Sequence, residues 1–332
     1  MTSWLHRVHA PRRPAGLVVA TACLWAGVAS AQPASSSSTS PAPSAGLALQ
    51  VALDRAGFSP GAIDGAPGRN TRLALQHFQE ARALPVTGEV DDATRSALPA
   101  EPAVVPYTLT AEDLAGPFIA RIPNDMMEKR TLEVLGYATP AEMLAERFHT
   151  TPQLLARLNP RLSWTAGTVV QVPNVTPFVV PATTETREVN PPEAAKVASV
   201  RVSRASGALV VRGTDDAILF VAPVTSGSER DPLPLGTWKV TAVYLRPVFN
   251  YNPDLFWDAD EAHARARIPA GPNNPVGLVW IDLDKEHYGL HGTPAPERIG
   301  VSQSHGCVRL TNWDAMRVAA LVRTGTPVHF EP

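Results

Sequence analysis

The residues best suited to chemistry lie near the C-terminus. Cys307 sits in Ser304-His305-Gly306-Cys307-Val308-Arg309, and His291 stands sixteen positions upstream in His291-Gly292-Thr293. The sequence has two cysteines, and the other, Cys23, falls in a segment patterned as a removable export signal. A single thiol in an exported protein has no internal disulfide partner, so it is an inert buried residue, an intermolecular bridge or a nucleophile. A thiol attacks as thiolate, and a free pKa near ~8.5 leaves little of it ionised at neutral pH. An imidazole beside it takes the proton or holds an ion pair with it. Gly306 lets the backbone approach closely, so amide N–H groups there could meet a developing oxyanion, and Arg309 offers a fixed cation. Two other readings compete. A zinc site built on Cys307, His305 and His291 needs another ligand, for which His287 is a weak candidate. An inert core thiol fits poorly beside Ser-His-Gly and Arg. His149, His263 and His329 carry no motif around them.

The elements that must position this motif are mostly strands. Ser199–Val202, Leu209–Arg212, Ala217–Val221, Trp238–Val243 and Gly277–Asp282 are β-branched runs broken by Gly207 and Gly213-Thr214-Asp215. One helix follows the thiol, capped by Thr311, with Ala315, Ala319 and Val322 facing inward and Gly325 ending it. Residues 197–331 therefore read as a mostly-β catalytic domain.

Upstream, three proline-rich gaps divide the chain. Arg7, His9, Arg12 and Arg13, an apolar run from Ala15 to Val28 and Ala29-Ser30-Ala31 give residues 1–31 the pattern of a signal peptide. Residues 32–46 read as a disordered tether, 99–125 and 176–196 as linkers. Between them, 47–98 reads as a three-helix domain: Leu49, Ala52, Leu53 and Ala56 form one stripe, Thr71, Ala74, Leu75 and Phe78 another, and Asp91 caps a third helix. In 126–175, Thr139-Pro140 with Glu142 and then Thr151-Pro152 start two short helices, and Thr168–Pro173 is a β-type run. The whole is a multidomain chain: a small all-α domain, a small α+β unit and a mostly-β domain. A net charge of −2 gives no footprint for nucleic acid.

Three resemblances add to this. Gly57-Phe58, Pro60-Gly61, Ile63-Asp64-Gly65, Phe78-Gln79, Leu84-Pro85 and Thr87-Gly88 resemble the three-helix peptidoglycan-binding domain found beside cell-wall hydrolases, in which Gln79 and Asp64 are candidate ligand contacts although most matching positions are structural. Leu144-Ala145, Phe148, Leu154, Leu158-Asn159-Pro160, Gly167 and Val172-Pro173 resemble a lysin motif, a glycan-binding βααβ module, without its usual opening strand. His291-Gly292-Thr293, Ile299-Gly300, Ser304 to Leu310 and Gly325-Thr326-Pro327-Val328 resemble the L,D-transpeptidase catalytic domain, supported by Pro234 to Trp238, Tyr251 to Trp257 and Pro269 to Gly277; Leu233 stands where a threonine is usual.

That last resemblance implies Cys307 as nucleophile, His291 as general base, and the Gly292 carbonyl as the group that orients its ring. It implies the Gly306 and Cys307 amides as oxyanion hole, and Ser304, His305 and Arg309 as the donor pocket. No metal and no cofactor are called for. The substrate is the tetrapeptide stem of peptidoglycan, cut before its terminal D-alanine, and the acceptor is a diamino-acid amine (a 3→3 cross-link), a lipoprotein lysine or water. Water as acceptor would make the enzyme an L,D-carboxypeptidase, and an inactive wall-binding scaffold is the reading from another class. The family also implies acylation by carbapenems, and the Pro-Gly-Pro stretch resembles enzymes of the Gram-negative periplasm.

Overall fold

Helix capping sets the N-terminal elements. The computed structural model describes residues 43–180, 186–191 and 196–332; Cys23, the expected signal peptide and the tether up to residue 42 lie outside them. Ser44 accepts the Leu47 amide and starts α1 (Ala45–Arg55), Arg69–Ala81 forms α2, and Asp91 caps α3 (Asp92–Ala97) as its spacing predicts. α1 buries two faces. Leu53 joins Phe58, Leu75 and Phe78 in one core, while Leu47 and Val51 join Ile63, Leu144 and Val172 in another. Gln79 is wholly buried and binds Thr87, Gly88, Glu89 and Thr94. Asp64 binds Gln50 and the Ala66 amide. Both candidate ligand contacts thus serve the domain's own turns.

The segment expected as a linker over 99–125 is ordered. Val104–Thr108 (β1) and Ala111–Ala115 (α4) precede α5 (Met126–Lys129), α6 (Pro140–Arg147), α7 (Pro152–Leu158) and β2 (Val169–Pro173). β1 pairs antiparallel with β2, so an opening strand does exist, separated from its helices by an inserted stretch. Thr139 caps α6 as expected, but Glu142 reaches past the cap residue to the Ala138 amide and its other oxygen accepts from Asn273. Part of 176–196 also packs: Phe178 is buried against Leu278 and Trp313, and Arg187–Glu188 (β3) pairs antiparallel with Tyr244 and Leu245.

The strands beyond are β4 (Val197–Ser203), β5 (Ala208–Gly213), β6 (Ile218–Pro223), β7 (Thr225–Ser226), β8 (Gly236–Leu245), β9 (Phe249–Tyr251), β10 (Ala266–Ile268), β11 (Val279–Leu283), β12 (Gly289–His291), β13 (Val308–Arg309) and β14 (Pro327–Glu331). They order β6-β5-β4-β14-β8-β11-β12-β13-β7, with β9 and β10 as a separate hairpin. The long β8 divides its pairing: Gly236–Lys239 holds β14 and Val240–Leu245 holds β11. Val202, Leu209, Val243, Ile281, Leu290 and Val308 meet α8 (Asn312–Leu321) in one core. The helix stops at Leu321 rather than at Gly325; Val322 is already extended, and Gly325 serves the turn into β14.

The edge strand β6 is covered. Ser59 donates to the Val221 carbonyl at 2.8 Å, and Val221 donates to Gly57 at 3.0 Å, so the turn after α1 extends the sheet and protects its edge. Four residues on, Ile63 donates to the His149 carbonyl at 2.8 Å. A buried polar cluster lies behind this turn. The fully buried Asp54 accepts from Arg317 through both oxygens (3.1 and 2.9 Å) and meets His149 Nδ1 at 3.0 Å. Burial alone would raise the Asp54 carboxyl, but His149 and Arg317 outweigh it and hold it well below the carboxylate range.

Two carboxyls behave oppositely. Burial pushes Glu146 up to about 8 and Asp314 up to about 7. The folded chain therefore holds these protons more tightly than the unfolded chain does. Their contribution is full below the ordinary carboxylate range and falls as pH rises through it toward 7 and 8. Thermal melts from pH 5 to 9 should show wild-type stability declining from pH 5 up to about 8 and levelling above it. Glu146→Gln, neutral at every pH, should flatten that decline by more than about 1.4 kcal/mol, the worth of one pH unit. An unchanged slope would mean that Glu146 titrates normally.

Candidate active site

Strand alternation builds one face of the site. Along β11, Val279, Ile281 and Leu283 enter the core, so Trp280 and Asp282 take the opposite face. β12 lies antiparallel to β11, with Trp280 opposite His291 and Asp282 opposite Gly289. β13 then runs parallel to β12, with Leu290 opposite Val308 and His291 opposite Arg309. The same register puts Cys307, one residue before β13, beside Gly289. Leu290 and Val308 point into the core, so His291, Arg309 and Cys307 share the face of Trp280. They line a cleft of about 1220 Å³.

His291 is buried and held by two contacts. Its Nδ1 donates to the Gly292 carbonyl at 2.7 Å, which leaves Nε2 as the bare nitrogen. Its ring stacks on Trp280 at 5.6 Å between centroids. Burial, and then the positive Arg309 across the ladder, push its pKa down to about 3, while the Gly292 bond pulls the other way. The imidazole is thus neutral across the physiological range. Burial also pushes the Cys307 thiol up, against the Gly289 amide and Arg309, which favour the thiolate. The resting pair is neutral thiol and neutral imidazole. The thiol donates to the His287 carbonyl at 3.5 Å.

Gly306 takes φ +100°, and a Cβ there would stand 2.6 Å from the Tyr288 ring. Only glycine fits this turn against that ring. Among the described residues the Gly306 and Cys307 amides have no hydrogen-bond partner. Ser304 is buried and tied to backbone: its hydroxyl accepts from Gly227 and donates to the Cys307 carbonyl, both at 2.6 Å. It shapes the turn from behind rather than from within the cleft. His305 lines the cleft, its Nε2 held by Asp258 at 2.8 Å and its ring between Phe256 and Trp257. Arg309 is half-buried and donates to the Gln303 carbonyl at 3.1 Å. Among the described residues no three His, Cys, Asp or Glu side chains are grouped to hold a metal ion.

The far wall comes from the hairpin β9–β10 and from the inserted stretch of the middle unit. Asp125 accepts from His263 Nε2 at 2.7 Å, and His263 Nδ1 meets the Tyr251 hydroxyl at 2.9 Å. His149 and His263, unmarked by any motif, are therefore braces between segments. Trp280 and Tyr288 also line the cleft. Trp280 stands out in the sequence because it breaks the apolar parity of its strand, whereas nothing local marks Tyr288.

Residues 198–330 match the sequence profile of the L,D-transpeptidase catalytic domain. The chain carries an L,D-transpeptidase domain. Residues 47–98 match a peptidoglycan binding domain. The chain is 44% identical over 61 residues to YkuD of Bacillus licheniformis, named as an L,D-transpeptidase; the match covers 18% of this chain and 37% of that protein. It is 46% identical over 65 residues to YbiS of Escherichia coli strain K12, named likewise, covering 20% of this chain and 21% of that one. The chain thus spans little more than a third of one relative and a fifth of the other. L,D-transpeptidase 3 of Mycobacterium tuberculosis, solved with a faropenem-derived adduct, shares 18% identity at a TM-score of 0.34, over 51% of this chain and 76% of that one. Outside the transpeptidase domain, the described residues hold no helix long and apolar enough to cross a membrane, and neither does the domain itself.

Proposed function

We propose that this chain is a peptidoglycan L,D-transpeptidase with Cys307 as nucleophile and His291 as general base. The observation that carries this reading is the neutral, buried His291, with Nδ1 committed to the Gly292 carbonyl, on the same sheet face as Cys307. Nε2 accepts the thiol proton as sulfur attacks the carbonyl carbon between the third-position diamino acid and D-alanine. The Gly306 and Cys307 amides stabilise the oxyanion, a contribution worth about 2.7–4 kcal/mol per donor in other enzymes. The C–N bond breaks, D-alanine leaves with the proton from the imidazolium, and a thioester remains. An amine attacks the thioester, His291 takes its proton, and the sulfur is released and reprotonated. Arg309 suits a stem carboxylate.

The acceptor is the diamino-acid amine of a second stem or a lipoprotein lysine, with water as the competing acceptor. The peptidoglycan binding domain and the lysin-motif-like unit would hold the wall nearby, in the periplasm of a Gram-negative cell. Carbapenems would acylate Cys307.

Incubation with disaccharide-tetrapeptide stems tests this. D-Alanine and 3→3 dimers should form; dimers replaced by tripeptides would assign water as acceptor. No release of D-alanine by the wild type would end the proposal. The acylation rate should also show no imidazole inflection near pH ~6.5, because His291 is already neutral there. A rate that falls through an inflection near pH ~6.5 would indicate a preformed ion pair instead.

A further inference from the structure

Asn312 opens α8, yet its side chain does not cap that helix. The cap is Thr311, whose hydroxyl accepts the Asp314 amide at 3.1 Å. The Asn312 carboxamide turns inward and is 1% exposed. Its Oδ1 accepts from the Leu278 amide at 2.9 Å, and its Nδ2 donates to the Pro272 carbonyl at 3.2 Å.

Two glycines close around that oxygen. A Cβ on Gly277 would stand 2.0 Å from Oδ1, and one on Gly292 would stand 2.1 Å from it. Neither position accepts a side chain while the carboxamide stays where it is. The oxygen is therefore wedged between the turn at Gly277, which takes φ +64°, and the Gly292 peptide. Gly292 is the residue whose carbonyl receives His291 Nδ1 at 2.7 Å, while its own amide donates to Val279 at 3.2 Å. A shift of the carboxamide moves that peptide, and with it the acceptor that selects the tautomer.

We propose that Asn312 is a positioning residue for His291: by seating Gly292, it fixes the carbonyl that holds Nδ1–H and keeps Nε2 bare toward Cys307. The proposal rests on the reading of Cys307 and His291 as nucleophile and base. Asn312 touches neither the reacting atoms nor the cleft lining; it acts through one peptide unit. The arrangement also joins a second unit to the site. Glu146 of α6 faces the same carboxamide, so the middle unit packs against the group that seats the histidine's acceptor.

The test compares wild type with Asn312→Ala and Asn312→Asp, using full-length protein labelled with ¹⁵N at histidine. In the wild type, the ring-nitrogen shifts of His291 should report one neutral tautomer, protonated at Nδ1. In Asn312→Ala the shifts should move toward a mixture. The rate constant for Cys307 acylation by a β-lactam should fall about 10–100-fold, with apparent affinity unchanged. Asn312→Asp, which keeps the accepting oxygen, should recover most of the rate and the single tautomer. Should Asn312→Ala fail to fold, Asn312→Ser carries the same comparison. A wild-type tautomer and rate in a folded Ala or Ser variant would overturn the proposal, as would a loss of rate that only follows a lowered Tm. Absence of a Cys307 adduct on the wild type would instead defeat the catalytic reading, while the tautomer comparison would still decide the role of Asn312.

Discussion

Incubated with a carbapenem, the wild-type chain gains the mass of one drug molecule, and Cys307→Ala gains none. Intact-mass spectrometry makes the measurement, and peptide mapping places the adduct. The expectation follows from the neighbourhood of the sulfur: a neutral imidazole on the same sheet face, and two amides at the Gly306 turn without partners among the described residues. His291→Ala should slow acylation about 10²–10⁴-fold, the span that a positioned general base contributes. His305→Ala should cost less than about tenfold, because its Nε2 is bound to Asp258 and its ring packs on Phe256 and Trp257. That side chain shapes a wall. Equal losses from the two histidine variants would undo this division of roles, and an adduct on Cys307→Ala would remove the sulfur from the reaction.

The largest loss of stability should come from far outside the cleft. Asp54→Ala removes the carboxylate that Arg317 grips with both nitrogens and that His149 meets from the other side. Asp54 and His149 are almost without solvent contact, whereas Arg317 is partly exposed. Breaking a buried ion pair by removing one partner costs about 3–5 kcal/mol. The solvent that reaches Arg317 puts the expected loss at the lower end, about 3 kcal/mol. Asp54→Asn, which keeps an acceptor and similar volume, should lose less. Trp313 stacks on the His149 ring at 5.4 Å, so its fluorescence reports on the cluster directly during urea unfolding. A loss below about 1 kcal/mol would place the cluster among ion pairs of surface strength.

Much of this was legible in the sequence where the cause is local. Ser and Thr caps, proline at first helical positions and β-branched runs act over a few residues. The three small helices, α6, α7 and the main strands therefore stand where spacing put them. The Cys307 motif was legible for a different reason, since its residues sit within six positions on one turn. What escaped depends on distant partners. β1 contains Pro106 in a proline-rich gap and becomes a strand through β2, more than sixty residues later in the chain. Gln50 and Asp54 occupy positions that a helical stripe assigns to solvent, and a second domain or a neighbouring turn buries them. The end of α8 came early because Val322 is drawn into the core as extended backbone. Ser304 looked like a cleft residue in a motif, but its hydroxyl is consumed by two backbone groups.

The turn at Gly57–Ile63 has a practical meaning for anyone who would cut this chain into parts. It closes one edge of the β-sheet with backbone hydrogen bonds, and Phe58 and Phe78 fill a core that also contains Ala208, Val210 and Val221 from the sheet. Excising residues 47–98 would strip an oily seam bare and leave β6 with open amides, an invitation to clump. Residues 47–98 and the sheet that carries Cys307 therefore form one packed body. Under the proposed function, a glycan held by the first would lie at a set reach from the second, like a needle fixed to its arm rather than swung on a thread.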